Sequence, residues 1–515
     1  MATNAQIFGT WIVVIFYMAV ILYFVWQGSR KIKSLSDYAV GNINFSPFTV
    51  GLSLAASMTS AATFIINPGF IANYGLSGVL SFGIVFPIAS LISLVVLSKS
   101  FRKYGEQVKA LTLAQWIGKP YNSNKYALMM AIFSLLLVTF IVLIVVAITK
   151  VLAKALNANE VIVLSATILF VFGYMMFGGA NSMVYTNTIQ AVIMIFVAII
   201  LLASGYEYFE NGISGMLARL NEISPSLTEW KNPQSLLFRD YYEIIFAQAI
   251  IGIAVVVQPH IITKSLLLKK ESDVNKYLII AVLIQALFFS VIFAGIYARL
   301  HFPDLQANGV ALRNDEIIPA YVVSVFSNGI VAVIVGLIVV MGLISAGLST
   351  LEGLIQSVSS SITTDILKPL FPNLFQTEKN GIKINKLAIV FLSIITFLIS
   401  YDQLLHPKLS VGILAQNGVY AFFSAAFVPV LFGIFAKNAK LSAVFPASLV
   451  AILVHFSIYY FMPFLVENYN LTFGFFTKFL IGEVRNPAIA SSAAIVISTI
   501  LGIILQFLPK KEQKL

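Results

Sequence analysis

Apolar runs of about 20 residues recur from one end of this chain to the other, with only short polar stretches between them. A run of that length spans the hydrocarbon of a bilayer as a helix. In lipid the backbone must satisfy its own hydrogen bonds, so a helix is the form it takes. The spans fall at 8–28, 46–73, 76–98, 126–149, 160–178, 183–205, 242–263, 276–300, 328–366, 386–402, 410–435, 441–465 and 486–508. The fold class is therefore an all-α polytopic membrane protein with about 13 transmembrane helices. Over 515 residues, 59% are hydrophobic and 10% charged, which no soluble domain of this length matches. Span 328–366 is too long for one crossing unless it projects or tilts. Residues 317–326 read as a short surface helix.

The formal charge of +11 does not signal a nucleic-acid partner. By count, about 22 of the 32 Lys and Arg sit in loops 29–45, 99–125, 264–276, 367–386, 436–440 and 509–515, including Lys269, Lys510 and Lys511. These loops fall on one side if the N-terminus is outside and the C-terminus cytoplasmic, the arrangement the positive-inside rule favours in a multi-pass cell-membrane protein. Trp230, Tyr241 and Tyr242, at the longest outer loop, suit the membrane interface. There are no cysteines, so disulfides and thiolate metal sites are excluded. The first span lacks a basic leader and a cleavage site and reads as a retained helix. No linker or signalling module is visible, so residues 1–515 read as one transmembrane domain, a monomer whose surroundings are the lipid bilayer.

Small and polar residues interrupt the apolar pattern at three places. Ala55-Ala56-Ser57-Met58-Thr59-Ser60-Ala61-Ala62-Thr63 places hydroxyls and alanines at membrane depth, and Asn67-Pro68-Gly69 is expected to break the helix again. Backbone may unwind there only where it is buried in protein or lines a cavity; a tight helix-packing face is the other reading. Ala254 to Lys264 contains Gln258-Pro259-His260, where the proline removes a backbone donor. Paired interrupted helices point to a transporter's midplane site, although a proline near a helix end gives the same pattern. In the third place, Ala346, Ser349 and Thr350 share a helix face. Their oxygens, with two loose carbonyls from the unwound stretch, offer about five neutral ligands to a hard monovalent cation such as sodium. Hydroxyls that bond back to the preceding turn are the alternative. Glu352, a carboxylate inside a span, is a functional candidate by default. Asn187 fits a helix cap or a ligand. Phe82, Phe140 and Tyr420 read first as core. The four histidines lack metal-ligand spacing, no nucleophile–base arrangement is visible, and no phosphate-binding loop argues for an ATP-driven pump, so the chain reads as a non-enzyme with no organic cofactor.

Taken in order, these residues resemble the sodium:solute symporter family along nearly the whole chain. Ser36-Asp37-Tyr38-Ala39-Val40-Gly41-Asn42 resembles the family's Asp-Tyr-x-x-Gly-Gly loop. Ser60-Ala61-Ala62-Thr63-Phe64 with Pro68-Gly69 and Tyr74-Gly75 is similar to the pantothenate branch, and Gln258-Pro259-His260-Ile261-Ile262 to the sodium/proline branch. Leu348-Ser349-Thr350-Leu351, then Ser359-Ser360-Ser361 and Asp365, resembles the family's sodium-binding helix. The resemblance implies a LeuT-type fold: an extra helix at 8–28, two inverted five-helix repeats at 46–205 and 242–435, and additional helices over 441–508. It implies a sodium site made by the carbonyls of Ala56, Thr59 and Ala346 and the hydroxyls of Ser349 and Thr350. By position it places a small-molecule substrate against Ser57, Ser60, Thr63, Phe82, Phe140, Gln258 and Tyr420.

Two departures from the family pattern matter. Asn187 stands where members often carry Asp, and Glu352 and Gly353 stand near the serines of a second sodium site. Glu352, with Asn187, is then the candidate for a second cation or a proton. Phe140 stands where a sialic acid member has Arg, and Phe82 also replaces a polar residue, so the pocket is expected to favour a small, partly apolar solute. The function implied is sodium-coupled symport of proline, pantothenate or a monocarboxylate by alternating access. A sugar or sialic acid symporter, an uncoupled facilitator, a membrane-embedded enzyme and a transporter-like receptor are the alternatives.

Overall fold

The computed structural model describes residues 2–108, 110–268, 270–406, 410–436, 438–482 and 484–508. Lys269, Lys510 and Lys511 lie outside the described residues. Among those described, ten helices are long and apolar enough to cross a membrane, and two further bent pairs bring the number up to twelve. The helix expected at 160–178 is present as Glu160–Met175, apolar but only 16 residues long. At 1.5 Å per residue it measures about 24 Å, short of a typical hydrocarbon core.

The first bent pair is Pro47–Met58 with Ala62–Tyr74; the second is Tyr242–Val255 with Pro259–Leu267. Each bends by 55°. The two breaks have different chemistry. In the first, Thr59 is extended and the Ser60 hydroxyl accepts from the Ala62 amide at 3.1 Å, a side chain replacing a lost backbone partner. In the second, Gln258 is extended because the ring of Pro259 disfavours helix in the residue before it, and Pro259 opens the next helical segment.

The second break expected at Asn67-Pro68-Gly69 is absent. The helix widens into a π turn over Ala62–Ile66, and Pro68 then sits in the first turn of Asn67–Tyr74, where its missing N–H costs little. Gly75 ends this segment at φ +65°, and a Cβ there would lie 2.0 Å from the Leu227 carbonyl oxygen, so the long loop 206–241 presses directly on the turn.

The long span runs from Ile330 to Leu370, 41 residues and about 62 Å of helix, and its first residues, Ile330 and Val331, are exposed. The helix Ile317–Val325 is mostly buried rather than lying on the surface. The N-terminal helix Asn4–Ser29 opens with a Thr3–Gln6 capping box and lies against the helix Gly179–Ala203, with Gly28 tight against Ser182. Trp230 and Tyr241 are exposed, whereas Tyr242 stacks on Phe246 and Phe479. The buried apolar side chains form one connected cluster from Tyr17 to Ile495, so the broken spans sit inside a single packed body.

Candidate functional site

The break at Thr59–Ala61 faces the middle of the long helix. Ser349 donates its hydroxyl to the Ala56 carbonyl at 2.9 Å and to that of Ala346 at 3.1 Å. Thr350 donates to the carbonyls of Ser57 at 3.0 Å and Thr59 at 3.3 Å. All five residues expected around a sodium ion therefore meet in one place, and the Ser57 carbonyl joins them. Carbonyls freed by the lost helical turn and two hydroxyls present only oxygen, the donor set a hard cation takes. The Thr59 hydroxyl is tied to Gln285 at 3.0 Å, which fixes the unwound residue from a third helix.

Beside this cluster, between the two breaks, lies a cavity. Ser60, Thr63, Phe82, Phe140, Gln258 and Tyr420 line it, as the sequence led us to expect. Ser57 does not. It points its carbonyl at the long helix and its hydroxyl at Asn187, because the half-helix turns it away from the break. Sequence reasoning missed Gln248 and Gln416, which also line the cavity, as does His260, which it had named in the interrupted stretch but not among the solute residues. A polar residue on an otherwise apolar helix was the signal available for Gln248. Among the described residues, no Asp, Glu, Lys or Arg lines the cavity. Among the described residues, three buried polar atoms of its lining have no partner: Gln248 Nε2, Gln258 Oε1 and His260 Nδ1. An unmet buried donor or acceptor costs about 1–3 kcal/mol, so these atoms suit a ligand carrying complementary groups.

A second polar cluster lies on the other side of Ser57. Glu352 is 1% exposed. Its Oε1 accepts from the Tyr174 hydroxyl at 2.7 Å and from Gln190 at 3.2 Å, and its Oε2 from Thr186 at 2.5 Å. Asn187 lies two turns inside the helix Gly179–Ala203, not at its start, so it is no cap. Its amide is oriented by its neighbours, nitrogen toward a carboxylate and oxygen toward an ammonium. So placed, the nitrogen donates to Glu352 Oε2 at 3.1 Å and to Gln190 at 2.9 Å, while the oxygen accepts from Lys264 Nζ at 3.1 Å and Ser57 Oγ at 2.7 Å. Lys264 also donates to Ser53 Oγ at 2.7 Å. The sequence had counted Lys264 among the loop charges of 264–276. The structure buries it, 2% exposed, in the short helical turn that follows Pro259.

The pattern of the sodium:solute symporter family matches residues 38–450. The sodium/pantothenate symporter of Haemophilus influenzae is 26% identical over 78% of this chain and 80% of its own length. That of Escherichia coli is 24% identical over 81% of this chain and 83% of its own. A sodium/proline symporter of Staphylococcus aureus is 23% identical over 83% and 81%. Among solved structures, a Na+-coupled sialic acid symporter in a substrate-bound outward-open state superposes with a TM-score of 0.70 at 18% identity, over 97% of this chain and 98% of that one. MhsT in complex with L-phenylalanine superposes at 0.55 with 14% identity, over 88% and 99%. The fold is therefore the LeuT type.

Proposed function

The chain belongs to the sodium:solute symporter family and is a sodium-coupled symporter of the cell membrane, and we propose that its solute is a small, partly apolar molecule of the proline, pantothenate or monocarboxylate class. The observation that carries this is the cavity between the breaks. It joins aromatic walls to unpaired amide and imidazole atoms and has, among the described residues, no charged side chain in its lining. A pocket without fixed charge suits a neutral solute, or a monoanion whose charge the sodium ion offsets. A polyanionic sugar would lack a partner.

In this reading Ala56, Thr59, Ala346, Ser349 and Thr350 hold the sodium ion, and Ser60, Thr63, Phe82, Phe140, Gln258 and Tyr420 hold the solute. Glu352 and Asn187 form the site of a second cation or a proton. Sodium ties the unwound residues to the long helix and stabilises the state that accepts solute. By linkage, bound solute raises sodium affinity by the same factor. A single sodium ion moving down 100 mV releases about 2.3 kcal/mol, and about 1.4 kcal/mol corresponds to tenfold accumulation. The equal bends of the two broken spans support reading 46–205 and 242–435 as inverted repeats, each opened by one of them. The distribution of Lys and Arg supports an outside N-terminus, and the protein works as a monomer.

A thermal-shift screen of the purified protein tests the solute class. Proline, pantothenate, short monocarboxylates and neutral sugars are compared with and without sodium. The expected result is stabilisation by one of the first three only when sodium is present. Equal stabilisation without sodium, or a response to sugars alone, would overturn the reading.

A further inference from the structure

Lys264 is a buried charge with no part in the mechanism above, which used Glu352 only as half of a second-cation or proton site. Glu352 receives hydrogen bonds from Tyr174, Thr186, Asn187 and Gln190. The Asn187 and Gln190 amide nitrogens can only donate and meet one carboxyl oxygen each, so the group accepts through both oxygens, the pattern of the ionised form. A buried anion needs a compensating cation, and among the described residues the one bonded to this network is the Lys264 ammonium. It reaches Glu352 through a single amide, that of Asn187, and its other contact is the Ser53 hydroxyl. Amide oxygen, serine hydroxyl and nearby carboxylate are the ligands that would hold a free monovalent cation. Here an ammonium on a four-carbon stem occupies that position and cannot leave it with the solute.

The cluster is coupled to the transport site by one residue. Ser57 gives its hydroxyl to Asn187 and its carbonyl to Thr350. Five elements meet there: the first broken span at Ser53 and Ser57, the helix Glu160–Met175 at Tyr174, the helix Gly179–Ala203 at Asn187, the second broken span at Lys264, and the long helix at Glu352.

We propose that Lys264 is a built-in cation for the Glu352 site, standing where a second transported monovalent ion would bind, so that the protein binds one sodium ion and not two. The proposal rests on reading Ser349 and Thr350 as ligands of the transported sodium. It adds that the second cation is part of the chain. Lys264 thereby sets ion stoichiometry, a role that a purely structural lock between helices would not have.

The test counts bound sodium by equilibrium dialysis of radioactive sodium against the purified full-length protein in detergent, at mildly alkaline pH and without solute. Wild type is expected to bind one ion per chain, and the double variant Ser349→Ala/Thr350→Ala none. Lys264→Gln, which leaves the Glu352 carboxylate without its ammonium, is expected to gain a second ion. Lys264→Gln/Glu352→Gln is expected to return to one. Two ions on wild type, one ion remaining on Ser349→Ala/Thr350→Ala, or no gain in a folded Lys264→Gln would each overturn the proposal. The first two measurements can overturn the proposal even if Lys264→Gln does not fold. A wild type that binds no sodium would instead remove the Ser349–Thr350 reading, and the proposal with it.

Discussion

At Thr350 one hydroxyl bridges two carbonyls of the opposite span, those of Ser57 and Thr59, while the hydroxyl of Ser349 bridges Ala56 and its own helix at Ala346. Thr350 cannot turn away without leaving the buried Ser57 and Thr59 carbonyls without that donor, whereas the Ala56 carbonyl that Ser349 meets also accepts from the Thr59 amide at 3.2 Å. Removal of either hydroxyl should therefore be felt in ion affinity before it is felt in solute affinity. Ser349→Ala or Thr350→Ala is expected to raise the sodium concentration for half-maximal uptake about tenfold, the equivalent of one lost ligand worth about 1.4 kcal/mol. Gln258→Leu, which removes an unpaired acceptor from the solute cavity, is expected to raise the solute half-saturation about tenfold on the same scale. Its sodium binding, measured without solute, should stay within a factor of about two. Uptake kinetics combined with sodium titration checks both halves. Equal effects of the three substitutions on both ligands would mean that the two sites are not separate.

Among the elements, the C-terminal end of the helix Asn124–Leu156 shows how an ion cluster positions a loop. Lys150 Nζ bonds both oxygens of Glu160, at 2.8 and 2.9 Å, and Glu316 at 2.9 Å. Glu316 precedes the helix Ile317–Val325, and just upstream Asn314 donates to the Ile66 carbonyl at 3.2 Å in the first broken span. Burial alone would push the Glu316 carboxyl up, but the hydrogen bond and charge of Lys150 outweigh it and hold the group below the usual glutamate range. A carboxyl depressed in the folded state contributes stability that is present above its unfolded value, about 4.3, and is lost as pH falls through the folded one. The thermal midpoint of the purified protein should therefore drop on acidification below about pH 4.3, and Glu316→Gln should lose that part of the drop while costing about 1–3 kcal/mol at neutral pH. Melting curves across pH measure this. A variant whose curve parallels wild type would show that the tie carries no stability.

For the molecule as a whole, the absence of native cysteine makes single-cysteine labelling unambiguous. Ser214 lies exposed in loop 206–241 and Asn380 exposed beside loop charges of 367–386. With the N-terminus outside, Ser214→Cys is expected to react with a membrane-impermeant maleimide on intact cells, and Asn380→Cys only after permeabilisation. The reverse pattern would invert the proposed topology.

The amino-acid sequence determined by itself that the chain is apolar over a bilayer's width many times over, where Pro259 stops a helix, and which hydroxyls stand on one face of the long span. Each of these is a local property, fixed by side-chain chemistry and helical spacing. Spacing also singled out Glu352. It did not reveal what Glu352 meets, because Tyr174, Gln190 and Lys264 are far from it along the chain and the packing of separate spans brings them together. Lys264 shows the limit most clearly. A lysine beside other loop lysines reads as a solvated charge, and only the turn made after Pro259 carries it inward to Ser53 and Asn187. Ser57 was aimed into the solute cavity on position alone, whereas the direction of its half-helix turns it toward Asn187. Burial and side-chain direction depend on the angles at which whole spans cross, and those angles are set by contacts between residues hundreds of positions apart.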